Sequence, residues 1–217
     1  MLGKLVAAER PRAVLVCWDT PAVPTYRHRE LPSYQAHRPP TDPDLAEQLT
    51  RLPGLMPGLG YRSAAVPGYE ADDLLATAAR LERQAGGSAL LVTSDRDAYQ
   101  LASAQVTILA PQSGGRAPAR IDPAGVRERY GVEPAQVPDF IALRGDPSDG
   151  IPGAPGVGAR TAATLLRRFG SLEAAIAARD ALPPRQAAAL GEPLLPLYKR
   201  VATMDAGAPL QLPEVVS

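Results

Sequence analysis

The run "RAVLVCWD" at residues 12–19 constrains the fold more than any other stretch of the chain. Its central positions are apolar without alternation, which suits a strand covered on both faces. "SALLVTSD" and "QVTILA" repeat the pattern further along. Between the first two runs lies "VPGYEADDLLATAARL", where Leu74, Leu75, Ala78 and Leu81 share one helical face and Gly86-Gly87 end the helix. Apolar strands alternating with helices predict an α/β fold with a mostly parallel sheet. The opening "MLGKLVAAERP" reads as the second half of an amphipathic helix stopped at Pro11. Residues 20–60 read as irregular and rich in Pro, Arg and Tyr, with one helix over "PDLAEQLTRL" before the Pro-Gly pairs at 53–54 and 57–58.

From Asp122 the pattern changes to short helices separated by Gly and Pro, among them "DPAGVRERYG", "EPAQVPDFIALRG" and "ARTAATLLRRFG". A last helix is expected over much of residues 185–204, and the tail "APLQLPEVVS" reads as an edge strand. "PQSGGRAPAR" reads as a loop or linker, which divides the chain into residues 1–121 and 122–217. The 217 residues are 45% hydrophobic, enough for a core, and 23 basic residues balance 23 acidic ones. That balance removes any global field but not a local basic face beside an acidic site. A single cysteine, Cys17, and two histidines leave neither a disulfide framework nor a Cys- or His-rich metal centre. No run of about 18 apolar residues spans a membrane, and charges in the first residues leave no signal-peptide core. The chain reads as cytoplasmic.

Carboxylates fall at telling places. Asp19 and Asp95 end strands and Asp97 follows, at the carboxyl edge where parallel sheets bind ligands. Glu70, Asp72 and Asp73 crowd into the start of the helix, and Asp146 and Asp149 sit in the turn "GDPSDG". Each group has a purely structural reading. First-turn acids are favoured by the helix dipole, each by about 0.3–1 kcal/mol, and Asp in a Gly/Pro/Ser turn caps a helix or forms an Asx turn. Together, without lysines beside them, they suit hard divalent cations, and a pair of such ions suits in-line phosphodiester hydrolysis. A simple βαβ unit, however, puts the start of the acidic helix at the opposite edge from Asp19 and Asp95. In "IPGAPGVGARTAATLL", Gly156 and Gly158 precede a helix beginning near Arg160-Thr161. The free backbone N–H groups there suit a phosphate, in a hairpin of helices that grips a DNA backbone without reading bases.

"VPGYEADDLLA", "VTSDRDAYQL", "ALRGDPSDGIPGAPGVGARTAATLL" and "FGSLEAA" resemble, in order and spacing, the structure-specific 5′ nuclease family, which includes the 5′-nuclease domain of bacterial DNA polymerase I and the flap endonucleases. The resemblance implies a PIN-like α/β nuclease domain followed by an all-helical helix-three-turn-helix domain. It also implies a 5′-3′ exonuclease or flap endonuclease that uses two divalent cations, Mg²⁺ or Mn²⁺, on DNA with a 5′ flap, nick or 5′ end. By motif, Asp19, Glu70 and Asp72 would serve the first ion. Asp95, Asp97, Asp146 and Asp149 would serve the second, with Asp73 nearby. The family folds its acidic helix onto the metal edge. Tyr26, Arg27, Tyr34 and Arg38 match an arch, about residues 20–60, that receives the 5′ single strand by charge and stacking. Gly156, Gly158, Arg160 and Thr161 would hold the duplex.

Three departures accompany the resemblance. The family opens with a strand ending in a Val-Asp-Gly ligand, and this sequence starts inside the helix that follows. Gln35 stands where the arch carries a lysine, and Gly150 replaces an asparagine. The first departure weakens the first cation site. The second removes a charge that would stabilise the scissile phosphate, and the third reads as mild. The sheet position of the opening strand is expected to stand open or to be covered by another segment or subunit. The competing reading is a protein that binds branched DNA with weak or no cleavage. A PIN-type ribonuclease leaves the helical clamp without a role.

Overall fold

Each of the three apolar runs becomes a strand, and the computed structural model describes residues 2–20 and 23–212. The first part of the chain runs α1 (Leu2–Glu9), β1 (Leu15–Trp18), α2 (Tyr26–Glu30), α3 (Pro43–Leu55), β2 (Arg62–Ala65), α4 (Ala71–Gln84), β3 (Ala89–Val92), β4 (Val106–Ala110) and β5 (Ala119–Ile121). The second is helical: α5 (Pro123–Tyr130), α6 (Val137–Arg144), α7 (Ala159–Phe169), α8 (Leu172–Ala177), α9 (Pro184–Ala189) and α10 (Leu195–Ala202).

Among the described residues the strands form two sheets. β1 lies parallel to β2 with Cys17 opposite Ala64, while β3 lies parallel to β4, whose other edge takes β5 antiparallel. Helix α4 packs on both β1 and β3, yet these two strands do not pair with each other. Between them lies a cleft of about 370 Å³ lined by Leu5, Val6, Leu15, Cys17, Leu75 and Leu90. This split corrects the expectation of strands covered on both faces. It holds for β4, where Val106, Ile108 and Leu109 are buried, but β1 is half-buried throughout and Leu90 is 38% exposed.

Other boundaries move for local reasons. β2 falls in "YRSAA", too short and too poor in large apolar residues to announce itself. β5 lies at the end of the Gly/Pro stretch read as a linker, so that stretch is the turn of a hairpin with β4. Helix α3 starts where Asp42 accepts the N–H of Asp44 at 2.9 Å and runs through Pro53 to Leu55. Its lack of buried residues lets water serve the carbonyl that the proline leaves free. The expected last helix is broken into α9 and α10 around Gly191. The tail forms no strand as far as Leu212, and residues 213–217 lie outside the described part.

In the helical part, α6 is buried from Val137 to Leu143 and carries the core. Phe140 stacks on Tyr130 with ring centroids 4.8 Å apart, and Leu166, Leu172 and Leu195 close around α6. One contiguous apolar cluster runs from Leu91 in the sheet to Met204 beyond α10. Few buried contacts and an open edge place β1 and β2 at the low-stability end of the fold. Their amide hydrogens should exchange at least about tenfold faster than those of β4 in native-state hydrogen exchange. Equal protection of the two sheets would contradict this picture.

Candidate metal centre

The fold brings the carboxylate-bearing segments to one edge. Because β2 runs parallel to β1, the helix that follows it starts at the carboxyl ends of both strands. The Ala71 N–H there donates to Asp19 Oδ1 at 2.8 Å. The opposite-edge expectation came from leaving β2 out of the unit. After β3, Asp95 accepts the Asp97 N–H at 2.9 Å, an Asx turn that starts a 3₁₀ turn over Asp97–Leu101. In the third segment Asp146 Oδ1 accepts Ser148 N–H at 2.8 Å, and the Asp146–Ile151 bridge closes the turn that carries Asp149.

Electrostatics shows that these groups sense one another. Burial, and then the charges of Asp95, Asp19 and Glu70, push the Asp72 carboxyl up to about 7. Burial, and then Asp95, Asp149, Asp146 and Asp72, hold Asp97 well above the ordinary carboxylate range. Burial likewise raises Glu70 and Asp149, against the lowering effects of Arg27 and Tyr34 on the first and of Gln35 and Arg38 on the second. Carboxylates gathered against their own repulsion, with oxygen as the donor atom, fit a hard divalent cation. Among the described residues no three of them stand in an arrangement that holds an ion as it is. Oxygens of Glu70 and Asp149 are engaged by the protein itself. Glu70 accepts from Thr25 Oγ1 at 3.1 Å and from Tyr34 Oη at 3.0 Å, and Asp149 Oδ1 accepts from Gln35 and Arg38.

Three residues are placed differently from the expectation. Asp73 is fully buried, and its oxygens accept both Arg27 Nη atoms, at 2.7 and 2.8 Å, the Glu70 N–H and the Asp205 N–H. Those four donors leave it no lone pair directed at an ion, so it fixes the start of α4. Arg27, 3% exposed, is turned inward on Asp73 and the carbonyls of Val201 and Thr203, and not outward to a nucleic acid. Tyr34, 4% exposed, points its hydroxyl at Glu70. Tyr26 is half-buried with its hydroxyl on the Thr203 carbonyl, whereas Arg38 is exposed. The sequence reading missed Thr25 and Gln35 as partners of the carboxylates; Gln35 carried a signal, standing where a lysine was expected.

The second candidate surface adjoins the first. Gly158 is the N-cap of α7, with no acid in the first turn and with Gly156 and Arg160 exposed. The loop before it is tied to α6 by the Ala154 N–H on the Leu143 carbonyl at 2.9 Å. Gly153 lies against the backbone of Gly145, where a Cβ would meet Gly145 N at 2.4 Å. The turn holding Asp146 and Asp149 and the start of α7 are thus parts of one rigid connection.

A raised carboxyl makes a signed prediction. The folded state favours neutral Asp72 up to pH about 7 while the unfolded chain ionises near 4, so its cost is absent below about 4 and complete above about 7. With divalent cations chelated, Asp72→Asn should therefore stabilise the protein at pH 8 by a few kcal/mol, at about 1.4 kcal/mol per pKa unit, and the gain should fade toward pH 4. Thermal melts at the two pH values check this, and a gain independent of pH would contradict it.

Relatives agree with this architecture. The family model for the 5′-3′ exonuclease N-terminal resolvase-like domain matches residues 1–131, and that for the 5′-3′ exonuclease C-terminal SAM fold matches residues 132–215. A 5′-3′ exonuclease of Streptomyces coelicolor is 38% identical over 228 residues, which takes in 96% of this chain and 75% of that protein. DNA polymerase I of Mycobacterium tuberculosis is 42% identical over 182 residues, which takes in 84% of this chain but only 20% of that protein's length. The T5 5′-exonuclease, solved with zinc ions bound, has the same fold, with a TM-score of 0.78 at 22% identity over 94% of this chain and 79% of that one. A parallel-sheet domain and a helical domain, both matched in order, make this chain a member of the 5′-3′ exonuclease family.

Proposed function

We propose that the chain is a divalent-cation-dependent 5′ nuclease that hydrolyses DNA phosphodiester bonds at 5′ flaps, nicks or 5′ ends in repair or replication, in the cytoplasm. The observation that carries this reading is the proximity of Asp72, Asp95, Asp97, Asp146 and Asp149, close enough to raise the carboxyls of Asp72 and Asp97, in a member of the 5′-3′ exonuclease family. Two ions, Mg²⁺ or Mn²⁺, would supply Lewis acidity and lower the pKa of a water. Asp19, Glu70 and Asp72 would hold one, and Asp95, Asp97, Asp146 and Asp149 the other. Thr25 and Tyr34 aim Glu70 from the base of the arch, and Asp73 locks the helix start that carries Glu70 and Asp72.

The rest of the work is positioning. Exposed Arg38 is suited to a strand phosphate, and Tyr26 keeps a partly open ring. The α7 start, with Gly156, Gly158, Arg160 and Thr161, offers free N–H groups and a guanidinium to the duplex backbone. These contacts carry no base information, so the substrate is selected by shape. The competing reading of a branched-DNA binder with weak cleavage rests on Gln35, which stands where the family's motif carries a lysine that would stabilise the scissile phosphate.

A labelled 5′-flap duplex separates the two. The wild-type chain should cut it with Mg²⁺ or Mn²⁺ and not in chelator, and Asp95→Ala should lose on the order of 100-fold or more in rate while still binding DNA. Tight binding without cation-dependent cutting would overturn the nuclease reading in favour of the binder. Cutting unchanged in Asp95→Ala would overturn the site.

A further inference from the structure

Segment 33–38 lies along the turn that carries Asp146 and Asp149. The Gln35 N–H donates to the Asp149 carbonyl at 2.9 Å, Ser33 Oγ to the Gly150 carbonyl at 3.2 Å, and Arg38 Nε to the Ser148 carbonyl at 3.3 Å. Two side chains then converge on one carboxylate oxygen: Gln35 Nε2 at 3.0 Å and Arg38 Nη2 at 2.8 Å both reach Asp149 Oδ1. The docking is specific. Gln35 adopts φ +53°, in the left-handed region that side chains other than glycine's rarely occupy. Gly150 sits so close beneath the segment that a Cβ there would meet the Ser33 carbonyl at 2.3 Å. Asp149 itself is 7% exposed, so these partners replace the water that a carboxylate would otherwise hold.

We infer that segment 33–38 is a latch: Gln35 and Arg38 hold Asp149 until a cation takes the carboxylate and a strand phosphate takes the guanidinium, so that cation binding and DNA binding favour one another. The inference rests on the reading of Asp149 as a cation ligand and Arg38 as a strand contact. Its logic is exchange of partners. Both side chains sit on Asp149 Oδ1, so a dication that takes that oxygen displaces Gln35 and Arg38, and a phosphate that takes Arg38 Nη2 displaces Asp149. Whichever ligand arrives first bears the cost of breaking the same ion pair, and the second then binds without it. By linkage the benefit is equal in both directions. The latch thus disfavours an assembled cation site on free protein and favours one on protein already holding a strand.

Each half can be measured on the full chain without cleavage. In the absence of DNA, Mn²⁺ titration by calorimetry should show Gln35→Ala binding about fivefold or more tightly than wild type. Gln35→Ala changes no charge, so general electrostatics does not produce that gain. In chelator, fluorescence anisotropy of a labelled 5′-flap duplex should show Asp149→Ala binding DNA about fivefold or more tightly than Asp95→Ala. That variant removes an equal charge but leaves the Arg38 ion pair intact. Wild-type Mn²⁺ affinity in Gln35→Ala, or equal DNA affinity of the two aspartate variants, would overturn the latch while leaving the nuclease reading standing. No Mn²⁺ binding by either chain would overturn the cation site and the latch with it.

Discussion

The buried pair between Arg27 and Asp73 joins parts of the chain that are far apart in sequence. Its guanidinium lies in α2, and its carboxylate lies in the first turn of α4. The remaining donors and acceptors reach the carbonyls of Val201 and Thr203 and the Asp205 N–H beyond α10. Burial opposes the charge on Arg27, but hydrogen bonding to Asp73 and the nearby Glu70 keep it firmly protonated. Such a pair contributes little by its own attraction, since desolvation offsets it. Removing one partner leaves the other charged and buried, a loss of about 3–5 kcal/mol. Helix α2, the start of α4 and the end of α10 therefore hold their relative positions together or not at all.

From that anchor the site follows. Asp73 binds the Glu70 N–H and so fixes the direction in which Glu70 and Asp72 leave the helix. Across the edge, the hairpin of α6, the Asp146–Asp149 turn and the start of α7 forms a second rigid piece, pinned by the contact of Gly153 with Gly145. Glu70, Asp72, Asp146 and Asp149 are thus presented from two stiff supports, with Thr25 and Tyr34 reaching the first and Gln35 and Arg38 the second. Crowding charge in this way costs stability, as the raised Asp72 and Asp97 record. Carboxylates perturbed in this way cluster at functional sites.

Much of this was legible in the sequence because it depends on local pattern. The helix at α4, the strands at β1, β3 and β4, the helical second half and the clustered carboxylates all follow from periodicity, caps and turn residues. What failed to show was the consequence of small, weak elements. Four residues of β2 without large apolar side chains decide which edge α4 begins on, and missing them reversed the geometry. Arg27 and Tyr34 read as strand contacts because a basic and aromatic stretch has no periodicity to say which way a five-residue helix faces. Gly150 reads as a mild change in the sequence, which does not show that the backbone of Ser33 lies against it. The half-burial of β1 came from pairing, which no single strand's composition reveals.

These carboxylates are proposed to converge on cations. Diffraction from crystals soaked in MnCl₂ at the manganese edge tests it most directly. Anomalous density is predicted at the strand edge, within ligating distance of Asp72, Asp95, Asp97 and Asp149, with Asp73 still on Arg27. Manganese confined to other parts of the surface, with the carboxylates still on their protein partners, would contradict it.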